Sequence, residues 1–387
     1  MIKNPVLTGF HPDPSMICVD GTFYIANSTF EYFPGIAISA SKDLANWESI
    51  AAPLNTTSML NMMGNPSSGG IWAPCLTYCD GLFYLVFTDV KSWASGPFKD
   101  TPNYIIKSAS IEGPWSEPIF INCSGFDPSL FHDDDGRKYI ANMEWDYRKQ
   151  GDNQFTGILL TELDPITLKP IADPIKIFKG SERGLVEGPH LYKIDGYYYL
   201  ITAEGGTSYE HAVTVARSRN IDGPYELHPN VHLVSAKDAR NAGIKKTGHG
   251  SICMGPGGRW WAAFLCGRPL DESMRCPLGR ETALAEVVWK EGWPYLKDGG
   301  IVAKDQFQGY GEQHPQRLFD YDFNSKAFIQ DFMSLRTPAE YMILEDGRLR
   351  LFGSESLSSL HHQNMLVRRQ MDFCFEAETC LEFQFNH

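Results

Sequence analysis

Asp13-Pro14-Ser15-Met16-Ile17-Cys18-Val19-Asp20-Gly21-Thr22-Phe23-Tyr24 runs from a polar lead residue through a short apolar run and an Asp-Gly pair to an aromatic run. Four later stretches repeat the form. They are Trp72-Ala73-Pro74 to Asp80-Gly81-Leu82-Phe83-Tyr84, Asp127-Pro128-Ser129 to Asp135-Gly136-Arg137-Lys138-Tyr139, Glu187-Gly188-Pro189 to Asp195-Gly196-Tyr197-Tyr198-Tyr199, and His249-Gly250-Ser251 to Gly257-Gly258-Arg259-Trp260-Trp261. The turn glycine follows the lead residue by eight positions in the first copy and nine in the others, and the aromatic follows that glycine by three in all five. Asp-Gly between apolar runs marks a β-hairpin, because the tight turn needs positive φ.

A second strand pair follows each hairpin. Its first members are Ile36-Ala37-Ile38-Ser39, Tyr104-Ile105-Ile106-Lys107, Ile158-Leu159-Leu160-Thr161, Val213-Thr214-Val215-Ala216 and Thr282-Ala283-Leu284-Ala285. Successive lead residues are 59, 55, 60 and 62 positions apart. Four strands per unit and five units predict an all-β chain whose residues 1–300 form a five-bladed β-propeller. The absence of long helical periodicity argues against a barrel of alternating strands and helices. An irregular β-sandwich with chance similarity is the bland alternative.

The repeat stops near residue 300. Residues 301–316, rich in Gly and Gln, read as a linker. Residues 317–387 read as an incomplete β-sandwich, with strands at Tyr341-Met342-Ile343-Leu344, Leu349-Arg350-Leu351, Phe373-Cys374-Phe375 and Cys380-Leu381-Glu382-Phe383-Gln384-Phe385. About 70 residues are fewer than such a domain normally needs, so this part reads as truncated or reduced.

Composition narrows the class. Of 387 residues, 47 are acidic and 34 are Lys or Arg, giving a net charge of −13. That balance, without basic runs, is a poor match to nucleic acid or an anionic membrane. No basic and apolar leader and no apolar run long enough to span a bilayer is visible. Nine scattered cysteines without a Cys-x-x-Cys pair read as reduced thiols. The expected location is the cytoplasm. Aromatics at 13% suit an all-β core or a sugar-binding surface.

In a propeller the first strand of each blade lines the central channel, so the lead residues Asp13, Trp72, Asp127, Glu187 and His249 are expected to form a ring. Gathering three carboxylates is costly, because like charges raise one another's pKa. Such a cluster marks acid–base catalysis or a metal site. Phe30, Phe33, Trp72, Phe126 and Trp145 stand beside the lead residues or in the loops after them, and aromatic faces pack on sugar rings.

The sequence resembles glycoside hydrolase family 43, in its branch of β-xylosidases with α-L-arabinofuranosidase side activity. The matching segments include Gly9-Phe10-His11-Pro12-Asp13-Pro14-Ser15, Ser28-Thr29-Phe30, Ile71-Trp72-Ala73-Pro74, Gly125-Phe126-Asp127-Pro128-Ser129, Val186-Glu187-Gly188-Pro189-His190, Ala203-Glu204-Gly205-Gly206-Thr207, Gly248-His249-Gly250-Ser251 and Gly279-Arg280-Glu281-Thr282. Arg348-Leu349-Arg350-Leu351 and Val367-Arg368-Arg369-Gln370 resemble the start of that family's C-terminal sandwich.

The resemblance implies an inverting, exo-acting hydrolase releasing xylose from xylobiose and short xylo-oligosaccharides. Asp13 would be the general base, Glu187 the general acid, and Asp127 the residue that orients Glu187 and tunes its pKa. Phe30, Trp72, Phe126, Trp145, His249 and Arg280 would line the sugar pocket. No cofactor is required, though His249 could ligate a divalent cation such as calcium in the channel. An arabinofuranosidase or arabinanase on the same scaffold and a non-catalytic sugar-binding propeller remain alternatives. A homo-oligomer is a further possibility.

Overall fold

The structure, a computed structural model, describes residues 1–93, 96–149, 153–314 and 318–383. Five four-stranded antiparallel sheets follow one another along the chain. Blade 1 is Ser15–Val19, Thr22–Asn27, Ala37–Ser41 and Glu48–Ala51; blade 2 is Gly70–Cys79, Leu82–Val90, Asn103–Ser108 and Ile119–Asn122. Blade 3 is Ser129–His132, Lys138–Trp145, Phe155–Leu163 and Ile175–Phe178. Blade 4 is Glu187–Ile194, Tyr197–Glu204, Ala212–Ser218 and Glu226–Ser235, and blade 5 is Lys245–Met254, Trp260–Gly267, Glu281–Lys290 and Trp293–Leu296.

The packing closes a ring. Five apolar clusters lie one between each pair of neighbouring blades, including blades 5 and 1. The period-two alternation of a strand explains how one strand serves two clusters. In blade 1, Phe23 and Ile25 face blade 5 while Tyr24 and Ala26 face blade 2. In blade 4, Tyr199 and Ile201 face blade 5 while Tyr198 and Leu200 face blade 3. Second strands are therefore apolar on both faces, which is why they read as nearly continuous hydrophobic runs.

The turns separate two kinds of blade. In blades 1, 2 and 4 the strand ends Val19–Thr22, Cys79–Leu82 and Ile194–Tyr197 pair across two-residue Asp-Gly loops. Both loop residues have positive φ, as at Asp20 (50°) and Gly21 (76°). In blades 3 and 5 the ends pair as His132–Lys138 and Met254–Trp260, across longer loops. This difference shifts the expected ring. Ser15, Cys75, Ser129, His190 and Ser251 pair with Ala26, Val86, Ala141, Ile201 and Ala263, each two residues beyond the shared aromatic. The equivalent residues two positions earlier are Asp13, Ala73, Asp127, Gly188 and His249. All five have left-handed φ, at 53°, 38°, 54°, 55° and 46°. Trp72 and Glu187 stand one residue before the ring, because counting back nine positions from a two-residue turn overshoots by one.

The N-terminal segment joins the ends of the ring. Ile2–Lys3 pairs with Gln306–Phe307, the Asn4 amide donates to the Leu284 carbonyl at 2.8 Å, and Leu7 bridges Thr282. The stretch expected as a linker is thus packed on blades 1 and 5 through residue 310, where Tyr310 lies against Trp261 and Phe23. Positions 315 and 316 fall outside the described residues.

Residues 318–383 hold a hairpin of Met342–Glu345 and Arg348–Leu351, and the strand Ser334–Leu335 pairs with Tyr32–Phe33 of the loop in blade 1. The strand expected at Phe373-Cys374-Phe375 is not formed, nor is one at 380–383. A strand exists by hydrogen bonding to a partner, and no described segment runs alongside these residues in a ladder. Positions 384 and 385 lie outside the described residues.

Candidate active site

Asp13 is the best-anchored of the carboxylates. It is 4% exposed. Arg280 Nη1 donates to its Oδ1 at 3.2 Å, and the Ser28 hydroxyl donates to its Oδ2 at 2.7 Å. Ser28 Oγ in turn accepts the Ala73 N–H at 2.7 Å, so the hydroxyl proton is directed at the carboxylate. Burial by itself would raise the pKa of Asp13, but the Arg280 charge, His249 and the Ser28 hydroxyl outweigh it and hold the group below its usual value. Asp13 is ionised at neutral pH.

Glu187 is the opposite case. It is 9% exposed, and burial followed by the charge of Asp13 raises its pKa to about 8. It is therefore a carboxylic acid at neutral pH, with a proton to give. Asp127 is also pushed well above the carboxylate range, by burial, then Glu187, then Asp13. The charge that holds the Glu187 proton in place comes from Asp13 across the channel, and Asp127 is itself driven toward its neutral form. The site thus sets Asp13, held below its usual value, against Glu187 and Asp127, both pushed up, the division of labour that acid–base chemistry needs.

His249 sits between the carboxylates, with Nδ1 3.7 Å from Asp13 Oδ1 and 4.0 Å from Asp127 Oδ2. Burial lowers its pKa and keeps the ring neutral. Its other edge lies over Gly188, where a Cβ would come within 2.8 Å of Nε2. The ring position in blade 4 carries no side chain because the imidazole occupies that space. A metal at His249 does not fit this arrangement. The Asp13 oxygen nearest Nδ1 already takes the Arg280 guanidinium, and no group of three His, Cys, Asp or Glu among the described residues is placed to hold an ion.

An aromatic wall flanks the carboxylates. Phe30 meets Phe10 at 5.2 Å and Trp72 at 5.8 Å between ring centres, Trp72 meets Trp93 at 5.1 Å, and Trp93 meets Trp145 at 5.2 Å. The indole N–H groups of Trp72 and Trp145 donate to the Ser68 and Pro97 carbonyls, which fixes the ring planes. Arg280 lies over the Phe30 face at 5.1 Å. Phe126 is buried beneath Trp72 and Trp93 and backs the wall instead of facing the pocket. Phe33 belongs to the core between blades 1 and 2.

Ser28, Phe10 and Trp93 escaped the sequence reading. Trp93 stands three residues after the second strand of blade 2, as Phe30 does in blade 1, so the loop after each second strand was the available signal. Ser28 had no such signal, since its role depends on its contact with Asp13.

The family model described as glycosyl hydrolases family 43 matches residues 2–294. The chain belongs to glycosyl hydrolase family 43. The family's β-xylosidase C-terminal concanavalin A-like domain model matches residues 320–387. Among curated relatives of this family 43 chain, a protein named xylosidase/arabinosidase 43B from Humicola insolens is 50% identical over 99% of the chain and 72% of its own length. A β-xylosidase from Bacillus subtilis is 47% identical, over 99% of the chain and 74% of its own length. The crystal structure of a xylan β-1,4-xylosidase from Bacillus halodurans superposes with a TM-score of 0.92 at 50% identity, covering 96% of this chain and 72% of that one. As a family 43 hydrolase the chain cleaves glycosidic bonds with inversion. Inversion requires a base to activate water on one face of the sugar and an acid to protonate the leaving oxygen on the other.

Proposed function

We propose that this family 43 hydrolase is an exo-acting β-xylosidase that releases D-xylose from xylobiose and short β-1,4-xylo-oligosaccharides. The observation that carries the reading is the buried cluster itself, in which Asp13 takes the Arg280 guanidinium and the Ser28 hydroxyl, His249 Nδ1 lies 3.7 Å from Asp13 and 4.0 Å from Asp127, and burial with the Asp13 charge pushes the Glu187 carboxyl up to about 8. Asp13 takes the proton of a water as it attacks the anomeric carbon. Glu187 gives its proton to the departing oxygen. Asp127 sits beside Glu187, where burial and then the charges of Glu187 and Asp13 push it up, against a smaller opposing contribution from the Gly188 N–H. The Arg280 guanidinium offers further donors to sugar hydroxyls, and the wall of Phe30, Trp72, Trp93 and Trp145 offers faces for the ring. The relatives named as xylosidases support a xyloside substrate.

A second reading makes α-L-arabinofuranosides the main substrate. A Bacteroides ovatus relative, 34% identical, is named a non-reducing end α-L-arabinofuranosidase. Initial rates on xylobiose, an aryl β-xyloside and an aryl α-L-arabinofuranoside separate the two. Faster turnover of the xylosides is expected, with measurable arabinoside cleavage, and a strong arabinoside preference would reverse the assignment. Nine free cysteines support a reducing compartment, and the cytoplasm is the location proposed, which cell fractionation tests.

A further inference from the structure

Glu187 reaches its place at the end of a strap, residues 180–186, that leads from the outer strand of blade 3 to the first strand of blade 4. The strap has left-handed φ at Gly180 (85°), Gly184 (71°) and Leu185 (54°), and it joins no sheet. Two adjacent residues, the last of the neighbouring strand in blade 4 and the one after it, pin the strap. Glu204 Oε1 accepts the Ser181 N–H at 2.7 Å, and Glu204 Oε2 accepts the Ser181 hydroxyl. The Gly205 N–H donates to the Gly184 carbonyl at 2.8 Å. The residue before these, Ala203, is the register partner of Glu187 itself.

A surface strap does not need a carboxylate to hold it. Glu204 is 0% exposed, and a buried carboxylate is expensive unless its oxygens are well matched. Burial raises its pKa, and the two Ser181 donors oppose that rise. The side chain grips one residue of the strap through both oxygens, while its neighbour Gly205 fixes the other end two residues before Val186. The strap then has little freedom left to pass to Glu187.

We propose that Glu204 is a positioning residue for Glu187, holding the strap so that the acid's proton lies in line with the departing glycosidic oxygen. The inference rests on the reading of Glu187 as general acid. A misplaced acid hurts most where the leaving group needs protonation. A merely structural anchor would lower the active fraction for every substrate alike.

The test compares kcat/KM on xylobiose and on para-nitrophenyl β-xyloside, whose leaving group departs with little help. Glu204→Ala should lose at least about tenfold more on xylobiose than on the aryl xyloside, a part of the roughly hundred- to ten-thousandfold that a positioned proton donor contributes. Glu204→Gln keeps an acceptor for the Ser181 N–H and should restore most of the xylobiose rate. Should Glu204→Ala not fold, Ser181→Ala removes one of the two contacts and should show the same selective loss in milder form. Equal losses on both substrates in the variant that folds overturn the proposal. Glu187→Ala serves as the reference. Selective loss there with equal losses in the Glu204 and Ser181 variants overturns the positioning role alone, whereas equal loss in Glu187→Ala overturns the acid assignment and the positioning role together.

Discussion

Arg280 Nη1 lies 3.2 Å from Asp13 Oδ1, and this pairing holds the Asp13 carboxyl below its usual value against the burial that would raise it. The positive charge of the guanidinium favours the ionised form of Asp13. Burial raises the pKa of both Glu187 and Asp127, and the Asp13 charge adds to that rise. The ion pair keeps Asp13 low, while burial is the larger part of what raises Glu187 and Asp127.

Replacing Asp13 by Asn removes the base while leaving a side chain that the Ser28 hydroxyl and Arg280 still surround. Turnover should fall by at least about a thousandfold, within the range assigned to a positioned general base. The loss should be similar for xylobiose and for activated aryl xylosides, because water activation is needed whatever leaves. Steady-state rates on the two substrates check this, and a variant that still cleaves the aryl xyloside well would place the base elsewhere.

The pH dependence follows from the two shifts. Asp13 is held below the usual carboxylate value of 3.8, so the acid limb of kcat/KM should fall only at pH values under that figure. Glu187 titrates at about 8, so the alkaline limb should fall as the pH rises through that value. The plateau between them is wide. For stability the sign is opposite to that of a salt-bridged carboxylate. The native site holds the Glu187 proton over the interval from 4.5 to about 8, in which the unfolded chain has released it. Folding is therefore favoured at the acid side of that window and loses ground as the pH climbs through it. Denaturation midpoints across the window should decline more steeply in the natural protein than in Glu187→Gln.

Substituting Ala for Trp93 tests the aromatic wall. Trp93 touches Trp72, Trp145 and Phe126, so its removal loosens two pocket rings at once. KM for xylobiose should rise several-fold, an effect of about 1 kcal/mol, with a smaller change in kcat. A fall confined to kcat would mean that the wall acts on chemistry and not on binding.

The fold was legible because it is written five times. Each blade places an aromatic three residues after its turn glycine, and five copies of that offset leave little room for another architecture. The carboxylates were legible for the same reason, since Asp13 and Asp127 head identical Asp-Pro-Ser triplets. What the residue string could not show was the length of each turn in space. That length decides that Gly188, not Glu187, is the counterpart of Asp13. Contacts made across hundreds of residues were equally hidden, among them Asn4 with Leu284 and Arg369, whose Nε donates to the Phe10 carbonyl at 2.8 Å. The strands expected at 341–344 and 349–351 pair as a hairpin, whereas those expected at 373–375 and 380–383 do not form, because an apolar alternation becomes a strand only beside a partner.

Gly188 brings these points together in a single substitution. Its φ of 55° is left-handed, and a Cβ built there would stand 2.8 Å from His249 Nε2 and 3.0 Å from Cε1. Gly188→Ala therefore carries a conformational cost of about 1 kcal/mol and a steric one that falls on the imidazole. The ring is walled on its far side by Asp13 and Asp127, at 3.7 and 4.0 Å from Nδ1, so it can yield only by disturbing the carboxylates. Activity should drop by more than the loss of stability accounts for, and the acid limb of the pH profile should move as Asp13 loses its present neighbours. Thermal melting and kcat/KM measured on the same preparation decide the matter. A variant that melts earlier but hydrolyses xylobiose at the natural rate would show that His249 has no part in holding the carboxylates apart.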